Sequence, residues 1–157
     1  MNTSEHIIQV LKENDINVFF LVTGGAIVPF INYIDGDYYC FQHEQSAAMA
    51  AEGYFRATGK IACICVTSGP GVQNILNGLC GCWYDSVPAL FITGNTNTSE
   101  SLDTIKSKPR QYGFQEMPVV ESFSHFTKFS KRITHCDQVD DVLYDCLSVL
   151  KTPRYGP

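Results

Sequence analysis

The stretch FQHEQSAAMAAEGYFRATG, Phe41 to Gly59, sets His43 and Glu44 where an apolar, strand-like run passes into an Ala-rich, helix-like one. A carboxylate at such a junction has two readings. It is a first-turn acid favoured by the helix dipole, or it is a proton-handling group whose pKa a dry site raises toward neutrality. Read alone, Glu44 is more simply the first. Other chemistry-like patterns fail on spacing. HEQSA opens like a zinc-protease helix, but Ala47 stands where the second histidine is needed. GYFRATGKI resembles a phosphate loop, yet five residues separate Gly53 from Gly59, Ile61 follows the lysine, and the segment follows a helix. GPGVQN has two glycines of a dinucleotide fingerprint, with Asn74 in place of the third; its place between strand and helix leaves a phosphate-loop reading open. His6, His125 and His135 have no partner spacing and read as surface or satisfied core residues.

Elements that would position these residues alternate along the chain. Thr3 or Ser4 can cap a helix to about Asn14, with Ile7, Val10 and Leu11 inward. Val18 to Val22 is a strand-length apolar run ending in Gly24-Gly25. A short helix follows over about Ala26 to Ile34, with Pro29 tolerable only near its first turn. YYCFQ reads as a strand and Glu44 to Thr58 as a helix stopped by Gly59. IACICVT is a buried strand, Ser68 to Gly71 a tight loop opening a helix to about Tyr84, and VPALFIT a further strand. Gly94 to Gln111 is a long polar loop, of the kind that is functional or mobile. A short helix near Pro118 to Ser122, a strand TKFSKRI and a helix from Asp137 to Lys151 complete the order.

Buried strands separated by helices predict an α/β fold, a parallel sheet with helices on both faces. Ligands then lie beyond the carboxyl ends of the strands. Thr23 to Gly25, His43-Glu44, Thr67 to Gly71 and Thr93 to Asn95 all fall at such ends. The closing KTPRYGP follows a helix where the alternation calls for one more strand, so the sheet is expected to be cut short there.

The 157 residues suit one domain with a real core. With 45% hydrophobic and 17% charged residues the chain reads as globular rather than disordered. Its net charge of −5 and lack of a basic run argue against nucleic acid. The N-terminus is polar and no apolar run approaches ~18 residues, so neither signal peptide nor membrane span is expected. The cysteines number seven, an odd count. Cys63 and Cys65 alternate along one strand face, Cys80 and Cys82 diverge on a helix, and no CxxC occurs. Reduced thiols acting as small hydrophobes, free of metal and in a cytoplasmic setting, are expected.

Taken in order, TGGAIVP, HEQSAAMAAEGYFRATGK, VTSGPGVQN and RQYGFQE resemble the N-terminal pyrimidine-binding domain of thiamine-diphosphate enzymes of the acetolactate synthase type. The resemblance runs from about Ser4 to Pro157. It implies one pyrimidine-binding domain over residues 1–157, with a six-stranded parallel sheet whose last strand lies beyond Pro157. Position by position, it implies that Glu44 is the activating carboxyl on N1′ of the aminopyrimidine. Gly24 and Gly25 would adjoin that ring, Pro70, Gly71 and Asn74 would line its other side, and Phe114-Gln115 would reach the substrate. A carboxyl on N1′ favours the imino tautomer, whose 4′-nitrogen removes the thiazolium C2 proton. Glu44 is therefore expected to be largely buried, near Gly25 and Pro70-Gly71.

The resemblance further implies a lyase or transferase that decarboxylates a 2-oxo acid such as pyruvate and ligates the product. Mg²⁺ and the diphosphate would be held by a separate domain of a partner subunit, FAD where present would sit mostly outside this chain, and the assembly would be a homo-oligomer, at least a homodimer. Thr23 replaces the usual proline of acetolactate synthases, Phe55 a common alanine, and Tyr112-Gly113 also differs; these departures bear on the particular reaction. Two other classes stay open: a non-catalytic assembly module or split subunit, and a generic nucleotide-binding domain.

Overall fold

The computed structural model describes residues 2–107 and 109–157. Four strands form one parallel sheet in the order β2-β1-β3-β4: β1 (Val18–Leu21), β2 (Asp37–Cys40), β3 (Cys63–Val66) and β4 (Leu90–Thr93). Its helices are α1 (Thr3–Glu13), α2 (Val28–Ile31), α3 (Glu44–Thr58), α4 (Pro70–Asn74), α5 (Leu76–Tyr84), α6 (Val119–Phe123) and α7 (Val139–Leu150).

The period-two alternation of the strands divides the core into two layers. Phe20, Ile64 and Val66 join Ala47, Ala48, Ala51, Val72 and Leu79 of α3, α4 and α5. Phe19, Leu21, Cys63 and Cys65 join Ile8 and Leu11 of α1 and Leu147 and Leu150 of α7. Helices therefore cover both faces, as the buried runs predict. Cys63 and Cys65 do share a face, with their sulfurs 3.7 Å apart.

Helix α3 has the bounds read from the sequence, Glu44 to Thr58. His43 caps it in extended conformation, and Gly59, at φ 71°, ends it with its N–H on the Phe55 carbonyl. The alanines have a packing reason. A Cβ placed on Gly78 of α5 would lie 2.5 Å from that of Ala48, so small residues on both helices let them meet closely.

Several expectations need correction. Asn2, rather than Thr3 or Ser4, caps α1, in a capping box with Glu5 that satisfies backbone donors in both directions. Helix α2 is shorter than Ala26 to Ile34; Pro29 does sit in its first turn. The helix opened by the Ser68–Gly71 loop breaks at Ile75 into α4 and α5. Strand β2 is a sheet edge with all four residues exposed, not a strand buried on both faces.

The largest difference is TKFSKRI, which joins no strand ladder among the described residues. Thr127, Phe129 and Ile133 are residue types that suit a strand, but a strand needs a neighbour to accept its hydrogen bonds. Between β4 and this segment lies a trough of about 870 Å³, lined by Leu90 to Thr93 on one side and Phe129 to Ile133 on another. The amide of Lys128 instead meets the carbonyl of Pro157 at 2.7 Å, and its ammonium caps the end of α7 through the carbonyls of Val149 and Thr152, both at 2.6 Å. The sheet described thus has four strands rather than six.

Burial makes most thiols inert. Desolvation pushes Cys82 up to about 12, with the charge of Glu52 adding to it, and Cys146 up to about 11. Burial also pushes the Cys63 thiol well above its ordinary value, with Cys65 beside it adding to the effect. Cys40 and Cys136 are exposed. A maleimide at neutral pH is expected to label these two in the folded chain, and Cys63, Cys65 and Cys82 only after unfolding. Mass spectrometry of the labelled peptides checks this; early modification of Cys63 would contradict the burial.

Candidate active site

Because every strand runs the same way, the segments after β1, β2, β3 and β4 emerge along one edge of the sheet. Glu44, at the start of α3, meets the loop after β3 there. Asn74 Nδ2 donates to Glu44 Oε2 at 2.9 Å. Oε1 faces Gly71, where an added Cβ would lie 3.3 Å from it. One carboxylate oxygen is thereby held, and the other lies beside Gly71 in a space it shares with the Thr67 methyl. Glu44 is half-buried rather than largely buried.

His43 does not share in this arrangement. Its Nδ1 accepts the Gln45 amide at 3.2 Å, a cap for α3.

Thr67, at the end of β3, binds the two glycine loops together, a role sequence reasoning missed. Its Oγ1 accepts from the Ala26 amide at 3.4 Å. A Cβ on Gly24 would lie 2.5 Å from its own Cβ, and one on Gly71 2.9 Å from its Cγ2. Gly25, by contrast, faces open space: a Cβ there would meet nothing within 4 Å. Pro70 begins α4, in the first turn, where its missing N–H costs no helix bond.

The Phe114-Gln115 pair is brought to the same loop. A turn closed by the Glu116 amide on the Gly113 carbonyl, at 3.2 Å, carries the two residues at its tip. Gln115 has φ 52°, a left-handed conformation. Its backbone presses on Gly69, whose own φ of 59° and ψ of −118° suit glycine alone. The side chain of Phe114 projects outward, 76% exposed.

Beneath that turn lies Glu116, the second residue the sequence reading passed over. Burial raises its pKa, but hydrogen bonds from Ser101 and from the amides of Leu102 and Gly113, with the charge of Arg132, outweigh it and hold the carboxyl below its ordinary value of 4.5. A lowered folded pKa contributes stability that is present above the unfolded value and lost as pH falls through the folded one. Glu116→Gln is therefore expected to flatten the acid limb of stability, followed by urea midpoints from about pH 6 to about pH 3. Parallel curves for the two proteins would contradict this.

The residues fit an aminopyrimidine. Its N1′ can accept from, or share a proton with, a carboxyl oxygen left free by Asn74, and a flat ring can approach over Gly25, where no side chain stands within 4 Å. Among the described residues no group of three His, Cys, Asp or Glu side chains could hold a metal ion, and no helix is long and apolar enough to cross a membrane.

Comparison with known proteins agrees with the fold and the motifs. Residues 1–123 match the model of the thiamine pyrophosphate enzyme, N-terminal TPP binding domain, and the chain belongs to that family. It is 34% identical to the acetolactate synthase isozyme 2 large subunit of Escherichia coli strain K12, over the whole chain and 28% of that protein. It is 31% identical to a probable acetolactate synthase large subunit of Methanococcus aeolicus, over the whole chain and 25% of the relative. To acetolactate synthase 2, chloroplastic, of Brassica napus it is 30% identical, over 96% of this chain and 23% of that one. The chain thus spans about a quarter of the length of the curated relatives it matches.

Proposed function

We propose that residues 1–157 form the pyrimidine-binding domain of a thiamine-diphosphate enzyme that decarboxylates a 2-oxo acid such as pyruvate and joins the product to a second carbonyl. The observation that carries this reading is the meeting of Glu44 with Gly71 and Asn74 at the carboxyl edge of the sheet. Family membership and the names of the relatives support it. When bound, thiamine diphosphate supplies the electron sink for decarboxylation.

In this reading Glu44 exchanges a proton at N1′ of the ring through Oε1. Asn74 restrains Oε2, so the carboxyl cannot turn away. Gly24 and Gly25 give one wall of the ring site and Pro70 and Gly71 another, while Thr67 keeps the two loops together. Phe114 and Gln115 face the substrate. A diphosphate-binding domain of a partner subunit holds the diphosphate and Mg²⁺, FAD where used lies mostly outside this chain, and the protein works as a homo-oligomer. Buried free thiols favour a reducing setting, the cytoplasm.

A titration of the ¹⁵N-labelled chain with thiamine diphosphate tests the half-site directly. Amide shifts are expected to centre on Gly24, Gly25, Gly71 and Asn74 and to weaken in Glu44→Ala. Shifts confined to the trough beside β4, or equal in both proteins, would overturn the assignment.

A further inference from the structure

The loop between β4 and α6 has little regular structure, yet its backbone donors converge on one side chain. The Glu116 side chain is only 5% exposed. Its Oε1 accepts from Ser101 Oγ at 2.6 Å. The Leu102 amide reaches both oxygens, at 3.1 and 2.9 Å, and the Gly113 amide reaches Oε2 at 3.3 Å. Arg132 stands 3.8 Å from Oε1 and is itself held by Asp103 at 3.0 Å. Ser101 is buried, so its hydroxyl has no ready substitute partner.

One carboxylate therefore joins three pieces of chain: the 3-10 turns at 98–104, the turn at 113–116, and the segment carrying Arg132. Glu116 also closes the 113–116 turn from both sides, its amide on the Gly113 carbonyl and its carboxylate on the Gly113 amide. The tip of that turn is Phe114-Gln115, and its flank is seated against Gly69. With two termini of the turn tied to one buried group, the tip has little freedom to tilt away from the Gly69–Gly71 loop.

We propose that Glu116 is a positioning residue, which fixes the direction of Phe114 and Gln115 at the substrate without touching the substrate itself. The inference rests on the reading of Phe114-Gln115 as substrate-facing. It assigns to a buried anion a part in substrate affinity rather than in proton transfer, the task given to Glu44.

Two measurements test it. In the 157-residue chain, Glu116→Leu is expected to speed amide exchange at Leu102 and Gly113 by about tenfold or more, the scale of a lost hydrogen bond to a charged group. Glu116→Gln, with one acceptor oxygen left, should fall between. Should Glu116→Leu not fold, Ser101→Ala removes one donor and leaves the carboxylate, and a smaller acceleration at Leu102 is expected. Wild-type exchange in Glu116→Leu, or in Ser101→Ala if that is the one that folds, would overturn the clamp.

In the assembled enzyme, Glu116→Gln should raise KM for the 2-oxo acid by about tenfold, with a smaller change in kcat, as loss of binding contacts does. Gln115→Ala should do the same. A raised KM in Gln115→Ala with wild-type KM in Glu116→Gln would overturn the positioning role alone. Wild-type KM in both Gln115→Ala and Phe114→Ala would remove the reading beneath it, and the inference with it.

Discussion

Glu44→Gln is expected to slow C2 hydrogen–deuterium exchange of bound thiamine diphosphate by ~10²–10⁴-fold, the usual span of a general acid–base contribution. Glutamine keeps the volume of the side chain and can still face both Gly71 and Asn74. What it lacks is an exchangeable acidic proton at the oxygen turned toward the ring. The fold should suffer little: the residue is half-buried, and Asn74 can donate to the amide oxygen in place of the carboxylate. A stability change below ~2 kcal/mol is expected, within the ordinary range of single substitutions. Exchange measured by NMR in the assembled enzyme, with a thermal melt beside it, separates the two effects. Wild-type exchange in a folded variant would leave Glu44 a helix-start acid and nothing more.

Gly69→Ala is expected to be the most damaging small substitution in the chain's glycine loops, at about 2–5 kcal/mol, combining backbone strain with overpacking. Its φ of 59° and ψ of −118° lie outside the regions open to alanine, and the new methyl would fall 2.7 Å from the Gln115 carbonyl oxygen. Gly59 supplies the control. It also has positive φ, 71°, but ψ is 7° and open space surrounds it. Gly59→Ala should cost about 1 kcal/mol, the left-handed penalty alone. Urea denaturation of both variants gives the comparison. Equal losses would mean that the 113–116 turn does not press on Gly69.

Much of this architecture could be read from local pattern. Helix α3 was legible to the residue because both of its ends carry chemical signals, a first-turn acid at Glu44 and a left-handed glycine at Gly59. The shared face of Cys63 and Cys65 followed from strand alternation alone. TKFSKRI was not legible, since strand-favouring residue types report how a chain could lie on a sheet and not whether a ladder partner stands beside it. The break at Ile75 leaves no mark either, for its backbone stays near helical values at φ −76° and ψ −14°.

The site divides in the same way. Glu44 alone gives only the signal of a first-turn acid, and its partner Asn74 lies 30 positions away, on a different element. The order of the motifs made the pair readable; no spacing rule would have. Thr67 and Glu116 escaped because neither belongs to a periodic pattern. Thr67 is one more β-branched residue after a strand, and Glu116 one more acid beside a polar loop. What distinguishes them is whom they meet across the fold, which local sequence does not encode.

The tie at Glu116 has a consequence for how this loop can vary over evolutionary time. Its knots lie at Ser101-Leu102 and at Gly113, so the stretch between them is a tether fastened at both ends. Lengthening such a tether is inexpensive, at about 0.6 kcal/mol for each doubling. Insertions just after Ile105 should therefore be tolerated with the turn geometry intact, whereas a single-residue deletion between Gly113 and Glu116 should not. The loop is divided into a portion free to drift in length and a portion whose length is frozen, and one glutamate marks the border.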